Sequence, residues 1–207
     1  MFTGIIREIA TISEITQKEN GIIELKIESS LARNKKKGDS IAVDGACLTI
    51  TSPGQNIFTV EAIPETINKT NIKSYKPGTG VNLETPLKIG DGLDGHFVSG
   101  HIDFCAEVSS TENNLLIITV PPEMRKYFAL KGSVAINGVS LTISHLDKET
   151  FGVSLIPTTL EKTNLGLLKK EDPVNIEIDL IARYLDSLLS GKEKEVSYDF
   201  LKDRGFL

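Results

Sequence analysis

Residues 40–84 of this chain align without a gap onto residues 133–177, with 18 of the 45 positions identical. Many of the remaining positions exchange like for like, as in Ile41/Val134, Val43/Ile136 and Ile72/Leu165. The correspondence also reaches backwards, because MFTGII (1–6) parallels FVSGHI (97–102). A period of roughly 95 residues is too long for a solenoid unit and is the size of a domain. The chain therefore consists of two copies of one module, and its fold has to form twice. This places an N-terminal module at 1–95, a second at 96–180, a helix at 181–190 and a charged tail at 191–207.

Both copies are built from short β-branched segments bounded by Gly, Pro, Asn, Asp or Ser. SIAVDG, CLTIT, IFTVEAI and GVNLE in the first copy, and NLLIITV, SVAING, SLTIS, FGVSLI and VNIEI in the second, read as strands joined by turns. Several short strands per copy predict an all-β chain with a small antiparallel barrel in each. Residues 64–70 and 157–163 each read as a short helical turn opening at a proline. The one longer helical pattern follows the second copy. There Ile181, Tyr184, Leu185, Leu188 and Leu189 form a single apolar stripe, and Gly191 is a stop signal. The stripe fits either packing on a barrel or packing against copies of itself.

With 207 residues, 40% of them apolar, the chain can bury two modest cores. A net charge of −5, no Trp, four Tyr and eight Phe do not supply the basic groove with stacking aromatics of a nucleic-acid binder. No apolar run approaches the roughly 20 residues of a membrane span. MFTGIIREIA lacks the basic region and apolar core of a signal peptide, so a cytoplasmic location is expected. Cys47 and Cys105 make no disulfide framework, and His96, His101 and His145 have no metal-ligand spacing. Ser140 does not sit in a nucleophile elbow, and no phosphate-cradling glycine loop is present.

Where the copies differ, small reactive groups change place. Cys47 in the first corresponds to Ser140 in the second, and Ile5 to His101. Lys37-Gly-Asp-Ser40 faces Lys131-Gly-Ser133, read as one residue lost between them. Each group has an ordinary alternative, a buried cysteine or a turn histidine among them.

MFTGI, GACLT, SGHI, GVSLT and LIPTTL, in this order over residues 1–190, resemble the riboflavin synthase alpha-chain family. The resemblance implies two similar six-stranded antiparallel Greek-key barrels that bind lumazine, plus a C-terminal α-helix that assembles a homotrimer. It implies a dismutation in which one 6,7-dimethyl-8-ribityllumazine passes a four-carbon unit to a second. The products are riboflavin and 5-amino-6-ribitylamino-uracil, formed without metal or coenzyme, at a site between the first barrel of one subunit and the second barrel of a neighbour. Association with lumazine synthase is compatible with it.

By the same resemblance, Ser40, Cys47 and His101 on the N-terminal side, and Lys131, Ser140, Thr142 and Asp179 on the C-terminal side, match the family's catalytic candidates. One lumazine is expected against Gly4, Ile5, Ile6, Cys47, Leu48 and Thr49, with Glu61, Ala62, Ile63, Pro64, Glu65 and Thr66. The other is expected against Gly100, His101, Ile102, Lys131, Ser140, Leu141 and Thr142, with Ser154, Leu155, Ile156, Pro157, Thr158 and Thr159. Ala46 stands where many members carry a second cysteine. A carrier that kept the barrels and lost the reaction is the rival reading; the retained Cys47, His101, Lys131 and Ser140 favour the enzyme.

Overall fold

A computed structural model describes residues 1–190; the tail expected at 191–207 lies outside the described residues. The first copy forms strands β1 (Glu8–Gln17), β2 (Ile23–Glu28), β3 (Ser40–Val43), β4 (Ala46–Pro53), β5 (Ile57–Ala62) and β6 (Gly80–Glu84), with the short helix α1 (Pro64–Lys69). The second forms β7 (Phe104–Glu112), β8 (Leu115–Thr119), β9 (Ser133–Ile136), β10 (Val139–Leu146), β11 (Thr150–Ser154) and β12 (Pro173–Ile178), with α2 (Pro157–Lys162). Helix α3 (Leu180–Ser190) follows. Each set of six strands closes into an antiparallel barrel, in the order β1-β2-β5-β4-β3-β6 and β10-β11-β8-β7-β12-β9. Register shifts interrupt β1, β4, β7 and β10, one in each of the longer strands. Such bulges bend a strand enough for a small barrel to close.

Alternation decides what each barrel holds. Ile12, Leu25, Ile27, Ile50, Phe58 and Val60 fill the first interior. Ile118, Ile136, Ile143, Phe151, Val153 and Ile176 fill the second. There Phe128 stacks on Phe151 with centroids 4.8 Å apart.

The barrels meet around a local pseudo-two-fold axis. Phe2 bridges Val98, the two residues being equivalent in their copies. Gly45 and Gly138 approach so closely that a Cβ on either would lie 2.7 Å from the backbone nitrogen of the other. Around this contact lies a buried polar cluster. The Asn71 N–H donates to Asn175 Oδ1 and the Asn164 N–H to Asn82 Oδ1, each at 2.7 Å. Asn82 Nδ2 donates to the Asn137 carbonyl, and Asn175 Nδ2 to that of Asp44. The shared Thr-Asn and Val-Asn pairs of the repeat thus stitch one barrel to the other. Buried amides are affordable here because nearly all of their donors find acceptors across the joint.

The joint is chemically asymmetric at one pair. Asp44 faces this cluster where the second copy has Asn137, and its Oδ2 accepts the Tyr75 hydroxyl at 2.8 Å. Burial pushes the Asp44 carboxyl up to about 6, opposed by hydrogen bonds from Asn82, Tyr75 and Asn164. An acid whose folded pKa lies above its unfolded value of about 3.9 stabilises the fold while protonated. That contribution is complete below pH about 4 and is lost as pH rises through about 6. Asp44→Asn keeps the Oδ1 acceptor and removes the buried charge. The variant is expected to melt higher than the parent at pH 8, by up to about 3 kcal/mol of stability, with the gap closing towards pH 4. Melting curves at both pH values test this; a gap independent of pH would mean that the Asp44 carboxyl titrates alike in the folded and unfolded protein.

Helix α3 begins one residue earlier than the periodicity suggests, because Asp179 caps it: Oδ1 accepts the Ile181 N–H at 2.9 Å. The helix contacts the second barrel through Ala182, through Arg183 on Asp103 at 2.8 Å, and through Asp186, which accepts from Lys126 and Tyr127. Its apolar stripe points away, from 53% exposed at Leu185 to 66% at Leu188. Barrel packing therefore uses the polar flank and leaves the stripe open.

Candidate functional site

The segments that open the two copies cross over. Gly4 lies not beside Cys47 of its own barrel but against Ser140 of the other, whose N–H donates to the Gly4 carbonyl at 2.8 Å. In the same way the Cys47 N–H donates to the Gly100 carbonyl at 2.8 Å. The grouping expected from chain order is thereby corrected: within one chain, Gly4, Ile5 and Ile6 stand at the Ser140 side, and Gly100, His101 and Ile102 at the Cys47 side. The approach is tight enough to require glycine. A Cβ on Gly100 would lie 2.5 Å from that of Cys47, and one on Gly4 2.5 Å from that of Ser140. Both glycines also have positive φ, +83° and +78°.

A cavity lies beside each crossed segment. The first, of about 290 Å³, is lined by Ala46, Cys47, Glu65, Thr66, Lys69, Thr70, Gly100, His101 and Ile102. It brings a thiol, an imidazole, a carboxylate and an ammonium together, with Glu65 and Lys69 in a solvent-exposed 3.5 Å ion pair. The second, of about 650 Å³, is lined by Ile5, Ile6, Arg7, Glu8, Ile9, Thr158, Glu161 and Lys162. The lysines of α1 and α2 match, whereas Glu65 is replaced by Thr158 and His101 by Ile5. One fold thus presents two pockets at corresponding places, different in size and in chemistry.

Ser140 packs against Gly4, next to the Ile5 that lines the second pocket, and has a partner that comparison of the copies does not reveal. Its Oγ lies 2.7 Å from His96 Nδ1. Burial pushes the His96 imidazole pKa down, and the nearby Asp179 carboxylate acts in the opposite sense. His96 lies just ahead of the matched segment 97–102, so aligning the repeats could not pair it with anything. Asp179, expected near the site, thus lies close to His96 while its side chain caps α3.

The strand period sorts the other expected residues. Ser40, Thr49 and Glu61 align across β3, β4 and β5, on the outer face, and Glu61 accepts from Lys18 Nζ at 2.6 Å. Ser154 Oγ donates to Ser144 Oγ on the corresponding strand of the second barrel, and Thr142 is exposed beside Ser133 on its neighbour. Leu48, Ala62 and Leu155 instead turn into the barrel interiors and Leu141 is partly buried against the core, so the first three can offer a ligand only backbone. Ile63, Pro64, Ile156 and Pro157 are exposed at the starts of the short helices, with Thr66 and Thr159 half-buried one turn on. The outward-facing members of the expected set thus lie on the outside of each barrel, between the crossed segment and the short helix.

Lys131 also changes its counterpart. Its N–H donates to the Ile143 carbonyl as that of Gly38 does to Ile50, so Lys131 takes the place of Gly38 and no residue is lost between the copies. It holds φ +69° without being glycine. Such a conformation costs on the order of 1 kcal/mol and is concentrated at functional positions.

A family model described as the lumazine binding domain matches residues 3–86 and 99–179, one match per barrel. The riboflavin synthase of Actinobacillus pleuropneumoniae is 37% identical over 215 residues, with the whole of both chains covered. That of Bacillus subtilis (strain 168) is 38% identical over 216 residues, again with full coverage of both. The chain belongs to the riboflavin synthase family. Among solved structures, LumP complexed with 6,7-dimethyl-8-(1'-D-ribityl) lumazine superposes with a TM-score of 0.76 at 25% identity, covering 86% of this chain and 98% of that one. LumP complexed with riboflavin gives a TM-score of 0.78 at 26% identity, with 86% and 99% covered. The lumazine-bound neighbour shares the fold that the repeat predicts.

Proposed function

We propose that this protein is a riboflavin synthase that converts two molecules of 6,7-dimethyl-8-ribityllumazine into riboflavin and 5-amino-6-ribitylamino-uracil. The observation that carries this reading is the pair of pockets at corresponding places in the two copies, lined by different groups. A dismutation uses one substrate twice, once as donor of a four-carbon unit and once as acceptor. It therefore calls for two corresponding pockets with different reactive groups. Cys47 and His101 stand in one; Ser140, paired with His96, stands next to the other.

The reaction begins with loss of a proton from the C7 methyl group of one lumazine, leaving an anion spread over the ring. The other ring is attacked by a nucleophile. To Cys47, His101 and the Ser140–His96 pair this reading assigns proton movement or addition to a ring, and to Lys131 the offsetting of anionic charge. Ser40, Thr49 and Glu61 in one barrel, and Thr142 and Ser154 in the other, supply polar atoms to the ribityl chain and ring edges. Holding two rings in contact supplies much of the rate, since orientation alone is worth effective molarities of roughly 10⁵ M and above.

Three copies assembled through the stripe of α3 would bring the first barrel of one chain to the second barrel of its neighbour. A cytoplasmic location belongs to the same reading, in keeping with the free thiols of Cys47 and Cys105. So does association with lumazine synthase.

The decisive experiment incubates the protein with the lumazine alone and follows riboflavin absorbance. Turnover is expected in the parent. Cys47→Ser and Ser140→Ala are expected to slow it by about 10-fold or more while ligand binding changes less, as for groups acting in proton transfer. Binding without turnover in the parent would identify a carrier instead.

A further inference from the structure

The last identity of the aligned repeat, Glu84 with Glu177, is used by none of the chemistry above. Both are buried, with 3% and 2% of their surface exposed. Glu84 is the last residue of β6 and Glu177 the last but one of β12, strands that close the two barrels. Glu84 Oε1 accepts from the Thr3 N–H and the Thr3 hydroxyl, both at 2.7 Å, and its Oε2 from the Gly4 N–H at 3.0 Å. Glu177 repeats this arrangement on the other copy. Its Oε1 accepts from the Ser99 N–H at 2.6 Å and the Ser99 hydroxyl at 2.7 Å, and its Oε2 from the Gly100 N–H at 3.0 Å. A buried carboxylate with three donors is a strong, directional anchor. Neither glutamate lines the two pockets or touches the reactive side chains.

What each anchors is the crossed segment. Gly100, held by Glu177 of the second barrel, forms the wall behind Cys47 of the first. Gly4, held by Glu84 of the first barrel, forms the wall behind Ser140 of the second. We propose that Glu84 and Glu177 are positioning residues, each fixing the wall of the pocket that belongs to the other barrel. The reactive pocket of one module is thus assembled by the closing strand of its twin. The consequence for catalysis rests on the dismutase reading above; the mechanical claim does not.

Glu→Gln is the informative change. It preserves shape, but one of the two oxygens becomes an NH2 group that confronts a backbone N–H, so the anchor loses an acceptor and gains a repulsion. Alkylation of Cys47 by iodoacetamide, followed by peptide mass spectrometry with Cys105 as internal reference, reads the wall directly. Glu177→Gln is expected to change the Cys47 rate by roughly fivefold relative to Cys105. Glu84→Gln is expected to leave it within a factor of about 1.5, because its segment lies at Ser140. With the lumazine, both variants are expected to lose kcat by about 10-fold while melting within a few degrees of the parent. Ser99→Ala deletes only the hydroxyl bonds and should shift the Cys47 rate in the same direction as Glu177→Gln, which covers the case of a Glu177→Gln chain that does not fold.

Equal effects of Glu84→Gln and Glu177→Gln on Cys47, or no effect of either Glu177→Gln or Ser99→Ala, would overturn the proposal. Failure of the parent to turn lumazine over would remove the dismutase reading and leave the alkylation contrast standing.

Discussion

Replacing Gly100 by alanine is expected to reduce turnover by on the order of 100-fold and to destabilise the fold by about 3 kcal/mol. Three costs coincide at this position. The backbone is held at φ +83°, where a side chain is strained. The added Cβ would sit 2.5 Å from Cys47 Cβ and 3.0 Å from the ring of Phe2. Relieving that overlap moves the segment off β4 and breaks the bond from the Cys47 N–H to the Gly100 carbonyl. His101, the next residue, then shifts within the pocket that Cys47 also lines, and a displacement of about 1 Å in a reacting group is enough for a 100-fold loss. Turnover and a thermal melt of Gly100→Ala measure both effects. A variant with parental activity and stability would show that the two modules are not in such close contact.

Charging the open stripe of α3 is expected to abolish assembly. Leu185→Glu with Leu188→Glu places two carboxylates where the proposed three-copy contact needs apolar surface. Each buried leucine contributes about 1.5–3 kcal/mol, and the pair is lost from every copy at once. Sedimentation at micromolar concentration should find single chains, and turnover should fall to near zero because the proposed active site needs the first barrel of one copy and the second of another. The barrels themselves should melt almost as before, since α3 meets the second barrel through Ala182, Arg183 and Asp186. A trimer that survived both charges would place the seam elsewhere on the molecule.

Much of the architecture is legible along the chain. The duplication is a one-dimensional pattern, so two like barrels follow from it directly. The proline-led turns before Thr66 and Thr159, and the stripe from Ile181 to Leu189, are equally local, since capping and helical period act over a few residues. Strands β1, β2 and β7 carry a weaker signal, because EIATISEITQ and its counterparts have charged residues on their outer face and read as less apolar than the segments beside them.

The site was legible in kind but not in arrangement. Cys47, Ser140 and His101 stand out as mismatches within a repeat, a property visible without coordinates. That Gly100 rather than Gly4 backs Cys47 has no local signal. It depends on two segments, 1–6 and 97–102, crossing at a pseudo-two-fold axis, and on Glu84 and Glu177 holding them there across sequence separations of about 80 residues. The Ser140–His96 contact and the buried Asp44 are of the same kind. Residue identity and period follow from the covalent order of the chain; which module completes which pocket follows only from the closure of two barrels against each other, where the Cys47 and Ser140 N–H groups find their acceptors on the opposite copy.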